Sequence, residues 1–185
     1  MNQIWKVYRN NLENHMEDEE LYRYGMRQLK TGLLNIATIL LLGFLFRQIG
    51  EGILFAVCYI LLRKSAGGYH AKNAKRCYID SVILYVLALC LIHFLKPDIR
   101  YVGITLFLFL ILLHVIPVEN VNKPLNPEER RIYKKGAVVL FIFFFLLEAL
   151  LYKMGILTGY MAVNTAILGT EVLLLLQLMI TKIKN

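Results

Sequence analysis

The chain has 185 residues, 58% of them hydrophobic, and its mean hydropathy is positive. Soluble domains hold about 45–50% apolar residues, and here the excess comes in long blocks between charged connections, which excludes a soluble globular domain and reads as a polytopic membrane protein. The net charge of +8 does not point to nucleic acid, because the 21 Lys and Arg residues lie between the blocks, follow no helical face and accompany no nucleic-acid-binding motif.

Those cations set topology and contact anionic lipid of the bilayer. The first 30 residues lack an apolar core and carry Glu13, Glu17, Asp18, Glu19 and Glu20, so no secretory leader is expected. They place Ile4, Val7, Tyr8, Leu12 and Met16 at intervals of three to five, with Trp5 at the edge of the stripe. This predicts an amphipathic helix lying on the membrane or packed on the protein's own loops.

Apolar blocks follow at 32–46, 52–62, 78–95, 101–118, 136–152 and 156–180. A spanning helix needs about 20 residues, so all but the second are long enough or nearly so. Residues 52–62 would cross by recruiting residues 48–51, by thinning the bilayer or by tilting neighbours, or would instead dip in as a re-entrant segment. The cations decide in favour of a crossing. Counted in alternate connections, 17 of the 21 fall on one side and 4 on the other, which the positive-inside rule reads as six spans. The predicted fold is all-α: a polytopic membrane helical bundle of about six transmembrane helices with an N-terminal amphipathic helix and both termini cytosolic. It is one membrane-embedded domain over residues 1–185, with the amphipathic segment at 1–30 and the bundle at 32–180. The expected location is a bacterial cell membrane, multi-pass. Residues 63–76 face the cytosol, as does the loop 117–135, whose Pro117, Pro124 and Pro127 prevent it from being helical throughout.

The chemistry concentrates in residues 63–77. A cysteine nucleophile needs a thiolate, and thiols are activated by nearby cations, by histidine or by a helix N-terminus. Cys77 follows Lys75 and Arg76, has His70 seven residues back, and precedes the third block. In one straight helix, His70 and Cys77 would share a face but stand about 10 Å apart, so a bend between them is expected. Gly67 and Gly68 allow such freedom and a close approach by a peptide. Composition alone also accommodates a topological loop with a glycine turn, and spacing alone does not establish a protease. The other cysteines, Cys58 and Cys90, lie inside apolar blocks with no CxxC spacing, so neither a disulfide framework nor a metal site is supported, and no cofactor is expected.

Arg63, the run Gly67-Gly68-Tyr69-His70-Ala71 and then Cys77 resemble the signature of the accessory gene regulator B family, membrane-embedded cysteine endopeptidases that process quorum-sensing propeptides. Residues 115–125, including Pro117, Asn122, Lys123, Pro124 and Leu125, resemble that family's second recognisable segment. The resemblance implies a catalytic His70 and Cys77, with Arg63, Gly67, Gly68, Lys123 and Pro124 supporting activity or binding substrate. The implied partner is a small amphipathic propeptide, cleaved through an acyl-enzyme thioester and cyclised to a thiolactone or lactone. Asp80, read as lying in the first turn of its helix, and Glu119 are candidates to orient His70.

Glu51, His93, His114, Glu148, Asn164, Glu171 and Gln177 lie in or near the blocks and read as interhelical hydrogen bonds or a homodimer contact. Glu51, Glu148 and Glu171 also carry the alternative function, a small peptide transporter or exporter without proteolysis, although no paired Gly- or Pro-broken spans accompany them. A non-catalytic membrane scaffold is a third reading.

Overall fold

The computed structural model describes residues 22, 23, 25, 26, 29–67, 74–118 and 126–184. The chain divides into two compact units, Met1–Thr38 and Ile39–Asn185. The described residues of the first are helical, and the second holds the hydrophobic core. Among the described residues six helices follow one another: α1 (Leu29–Leu45), α2 (Ile49–Ala66), α3 (Ala74–Phe94), α4 (Arg100–Leu112), α5 (Pro127–Lys153) and α6 (Leu157–Lys184). The expected all-α bundle of apolar helices is therefore present. The apolar stripe predicted around Ile4 to Met16 lies outside the described residues.

By length and composition α3, α5 and α6 can cross a membrane, whereas α1 and α4 are shorter apolar helices. The short second block belongs to an 18-residue helix, because α2 takes in Ile49, Gly50 and Glu51 at its start and Arg63 to Ala66 at its end. The fourth block yields only 13 helical residues. Its last turn tightens, with the Val115 N–H bonding the Leu112 carbonyl at 2.9 Å, as expected when Pro117 follows and cannot continue a helix. In the opposite sense, α5 reaches back into the proline-rich loop. Pro127 takes the first helical position, where a missing N–H costs nothing, and the Asn126 N–H donates to the Glu129 carboxylate at 3.0 Å. At the start of α4, Asp98 accepts the Arg100 backbone N–H at 2.9 Å and its guanidinium at 2.6 and 2.8 Å. Those bonds hold the Asp98 carboxyl below the usual carboxylate range.

The core is organised around α6, which packs against α2, α3, α4 and α5. Residues 159–167 are buried on every side, as a helix surrounded by others must be. Phe109 of α4 stacks on Phe141 of α5 with centroids 4.7 Å apart and meets Phe145 at 5.6 Å. Of the phenylalanine run 141–145, Phe141 and Phe144 are buried and Phe143 is exposed, so one part packs and the other faces outward. Leu87, Phe107, Val139, Ile142 and Leu146 continue the exposed apolar surface. Helices α2 and α3 approach closely at Gly52, where a Cβ would run into the Tyr85 hydroxyl. That hydroxyl donates to the Ile39 carbonyl at 3.2 Å.

Candidate active site

Helix α2 ends where the glycine pair begins. The Gly67 N–H closes the last turn on the Arg63 carbonyl at 3.1 Å, and Gly67 itself has φ 78°, a region that side chains other than glycine's rarely adopt. Gly67 then forms a parallel bridge with Val118, whose N–H donates to the Ala66 carbonyl at 3.0 Å. A Cβ on Gly67 would collide with the Val118 carbonyl oxygen. Two stretches some 50 residues apart in sequence, the ends of α2 and of the segment after α4, are thus tied backbone to backbone.

Beside this junction, Cys77 is the fourth residue of α3. It lines a cavity of about 30 Å³ with Tyr59 and Arg63 of α2, Asp80, Ser81 and Leu84 of α3, and Leu173 of α6. That volume holds about one or two waters, enough for the reacting atoms of a peptide bond but not for a peptide. Arg63 is fixed toward it, because its guanidinium donates to the Tyr59 hydroxyl at 2.8 Å and lies over the same ring at 5.8 Å. Tyr59 is in turn stacked on Phe55 at 5.7 Å with nearly parallel planes. Ser81 sends its hydroxyl to the Cys77 carbonyl at 2.8 Å, so it braces the first turns of α3 and leaves the thiol unengaged.

Of the residues singled out in the sequence, Cys77, Arg63 and Asp80 share the cavity, and Gly67 forms the neighbouring bridge. Asp80 is the seventh residue of α3 and lies beyond its first turn. A favourable helix-terminus charge, which falls off within the first turn, does not explain its placement. Gly68, His70, Glu119, Lys123 and Pro124 lie outside the described residues. Cys58 is buried, while Cys77 and Cys90 are partly exposed. His114 is exposed at the end of α4, and His93 pairs with Gln48 at 3.0 Å. Four lining residues, Tyr59, Ser81, Leu84 and Leu173, escaped the sequence reading. Tyr59 was accessible in principle, since four residues before Arg63 is the same helix face. Leu173 comes from α6 and has no local signal.

A model of the accessory gene regulator B family matches residues 1–181. Among curated proteins, the chain is 29% identical over 143 residues to putative AgrB-like protein 2 of Clostridium perfringens, covering 72% of this chain and 67% of that one. It is 26% identical over 140 residues to protein FsrB of Enterococcus faecalis, covering 72% and 58%. It is 31% identical over 108 residues to accessory gene regulator protein B of Staphylococcus aureus, covering 58% and 54%. No solved structure matches significantly. With a family match over nearly its whole length and a bundle of apolar helices, the chain belongs to the accessory gene regulator B family, which serves quorum sensing.

Proposed function

We propose that this protein is a membrane cysteine endopeptidase that cleaves a small amphipathic propeptide and supports its cyclisation into a signal peptide. The observation that carries the reading is the cavity in which the only cysteine at the start of a helix, Cys77, meets the Arg63 guanidinium and the Asp80 carboxyl. Lys75 and Arg76 precede Cys77, which stands in the first turn of α3.

His70 takes the Cys77 proton, and the sulfur attacks the scissile carbonyl. The carbon–nitrogen bond breaks, the leaving amine receives the proton from His70, and the N-terminal fragment stays on Cys77 as a thioester. A cysteine or serine within that fragment gives up its proton to His70 and attacks the thioester. The Cys77 sulfur leaves and is reprotonated, and the ring is closed. Water competes for the same thioester, and the apolar side chains of Leu84 and Leu173 on the cavity wall reduce its access. Asp80, which lines the Cys77 cavity, and Glu119 are the two candidates to orient His70.

The 17-to-4 division of cations supports a cytosolic position for the Cys77 end of the bundle in a bacterial cell membrane. A propeptide made in the cytosol reaches it there, drawn to the basic connections if its tail is acidic. The test is co-expression with the candidate propeptide. Cys77→Ala and His70→Ala each abolish cleavage while the protein accumulates in the membrane at wild-type level. Normal processing by Cys77→Ala would overturn the reading.

A further inference from the structure

Outside the Cys77 cavity, α4, α5 and α6 enclose polar side chains that the peptidase reading does not use. Glu148 and Glu171 are 0% exposed, Thr105 is 1% exposed and Asn164 is 4% exposed. The Asn164 amide donates to Glu148 Oε2 at 3.0 Å and reaches the Thr105 hydroxyl at 3.5 Å. Thr105 donates in turn to the carbonyls of Tyr101 and Val102 at 3.1 and 3.2 Å. This leaves Glu148 Oε1 and both carboxylate oxygens of Glu171 without any hydrogen-bond partner. Glu171 lies two turns beyond Asn164 on α6, about 10 Å along the axis, and its carboxyl is within electrostatic range of Glu148.

Among the described residues no side chain within hydrogen-bond distance balances these acids. Residues 49–62 of α2, 77–94 of α3, 101–112 of α4, 136–152 of α5 and 157–181 of α6 contain no lysine or arginine. The neighbouring titratable groups are otherwise engaged or carry no positive charge. The Tyr160 hydroxyl donates to the Asp98 carbonyl at 2.7 Å, Tyr152 packs edge-on to Tyr160, and Asp98 is paired with Arg100. On α3, the Tyr85 hydroxyl is bound to Ile39 and His93 to Gln48. Even Thr170, next to Glu171, sends its hydroxyl to the Ala166 carbonyl at 2.8 Å. An unpaired buried carboxylate costs several kcal/mol, and two in one bundle, with three oxygens unengaged, are not arranged as a structural hydrogen-bond network.

We propose that Glu148 and Glu171 form a monovalent-cation site inside the bundle, taken by a proton or a sodium ion. Both satisfy the same need, a small hard cation that neutralises a dehydrated carboxylate, and acidic residues within spanning bundles commonly serve in that way. Asn164 positions the Glu148 carboxyl through Oε2 and leaves Oε1 for the ligand. The inference is independent of the peptidase reading, since neither acid belongs to the Cys77 cavity.

The test is thermal unfolding of the full-length protein in detergent, wild type against Glu148→Gln/Glu171→Gln, across pH and in sodium chloride against equimolar choline chloride. A ligand bound only by the folded state raises the wild-type midpoint by up to roughly 3–5 °C for each tenfold rise in its activity. The double variant loses that response. A sodium-specific rise identifies sodium; a midpoint that falls as pH rises, without regard to sodium, identifies the proton. Equal responses of wild type and double variant overturn the proposal. If the double variant does not accumulate, Glu171→Gln alone is compared in the same way. A hydrophobic carbodiimide, which adds the carboxylic acid across its N=C=N unit, supplies a second readout by mass spectrometry. Adducts at Glu171 or Glu148 that diminish at least about tenfold with added sodium or with rising pH support the site, and adducts insensitive to both overturn it.

Discussion

Cys77 and Glu171 are both polar side chains in helices that are otherwise apolar, and the bundle treats them in opposite ways. Around Cys77 the side chains converge on a small open cavity, the backbone is tied by a single bridge, and the polar groups come from helix ends. Around Glu171, itself fully buried, Thr170 and Leu174 are buried as well, and both carboxylate oxygens stand without donors. In the proposed reading, the first arrangement admits the scissile bond of a substrate. The second holds carboxylates away from solvent, and the cation site proposed there would act on the bundle itself. Substitutions at the two places should therefore separate activity from stability.

The largest separation is expected at Cys77. Replacement by alanine removes all processing and leaves the stability within about 0.5 kcal/mol of wild type, as for a partly exposed side chain. Gly67→Ala should blur the two, since a Cβ meets the Val118 carbonyl and φ stays positive. We expect a loss of about 1–3 kcal/mol, with processing reduced beyond what the lower amount of folded protein explains. Unchanged melting together with unchanged processing would show that the bridge is dispensable.

Asn164→Leu acts at the sealed end. It removes the only donor to Glu148 among the described residues and should cost about 1–3 kcal/mol, with processing per folded molecule retained. Loss of turnover without loss of stability would join the two regions functionally. Tyr59→Phe is the mildest change. It deletes the hydroxyl that receives the Arg63 guanidinium and keeps the ring, so roughly 1 kcal/mol, or about fivefold in kcat/KM, is at stake. Arg63→Lys at the same contact should lose more, because an ammonium cannot keep the planar contact over the Tyr59 ring.

Much of this bundle was legible in its apolar blocks, because each helix needs a contiguous apolar run and the connections concentrate charge. The ends were less legible. Residues 113–118 are apolar like the span before them, yet Pro117 stops the helix, whereas Asn126-Pro127-Glu128-Glu129 reads as a loop until one notices that it is a helix start. At the site, Cys77 stood out because a thiol, a histidine, glycines and cations fall together. The pairing of Gly67 with Val118 and the arrival of Leu173 depend on how helices pack over long sequence separations, and no local pattern specifies them. For Glu171 the sequence showed an acid inside an apolar block, and burial added that nothing pairs with it.

The most direct measurement is the intact mass of the protein captured during processing of its propeptide. The account predicts a thioester adduct of the propeptide's N-terminal fragment on Cys77 alone, absent from Cys58 and Cys90, lost in His70→Ala, and released by hydroxylamine. Processing that continues in Cys77→Ala protein, or an adduct mapped to another residue, would contradict it.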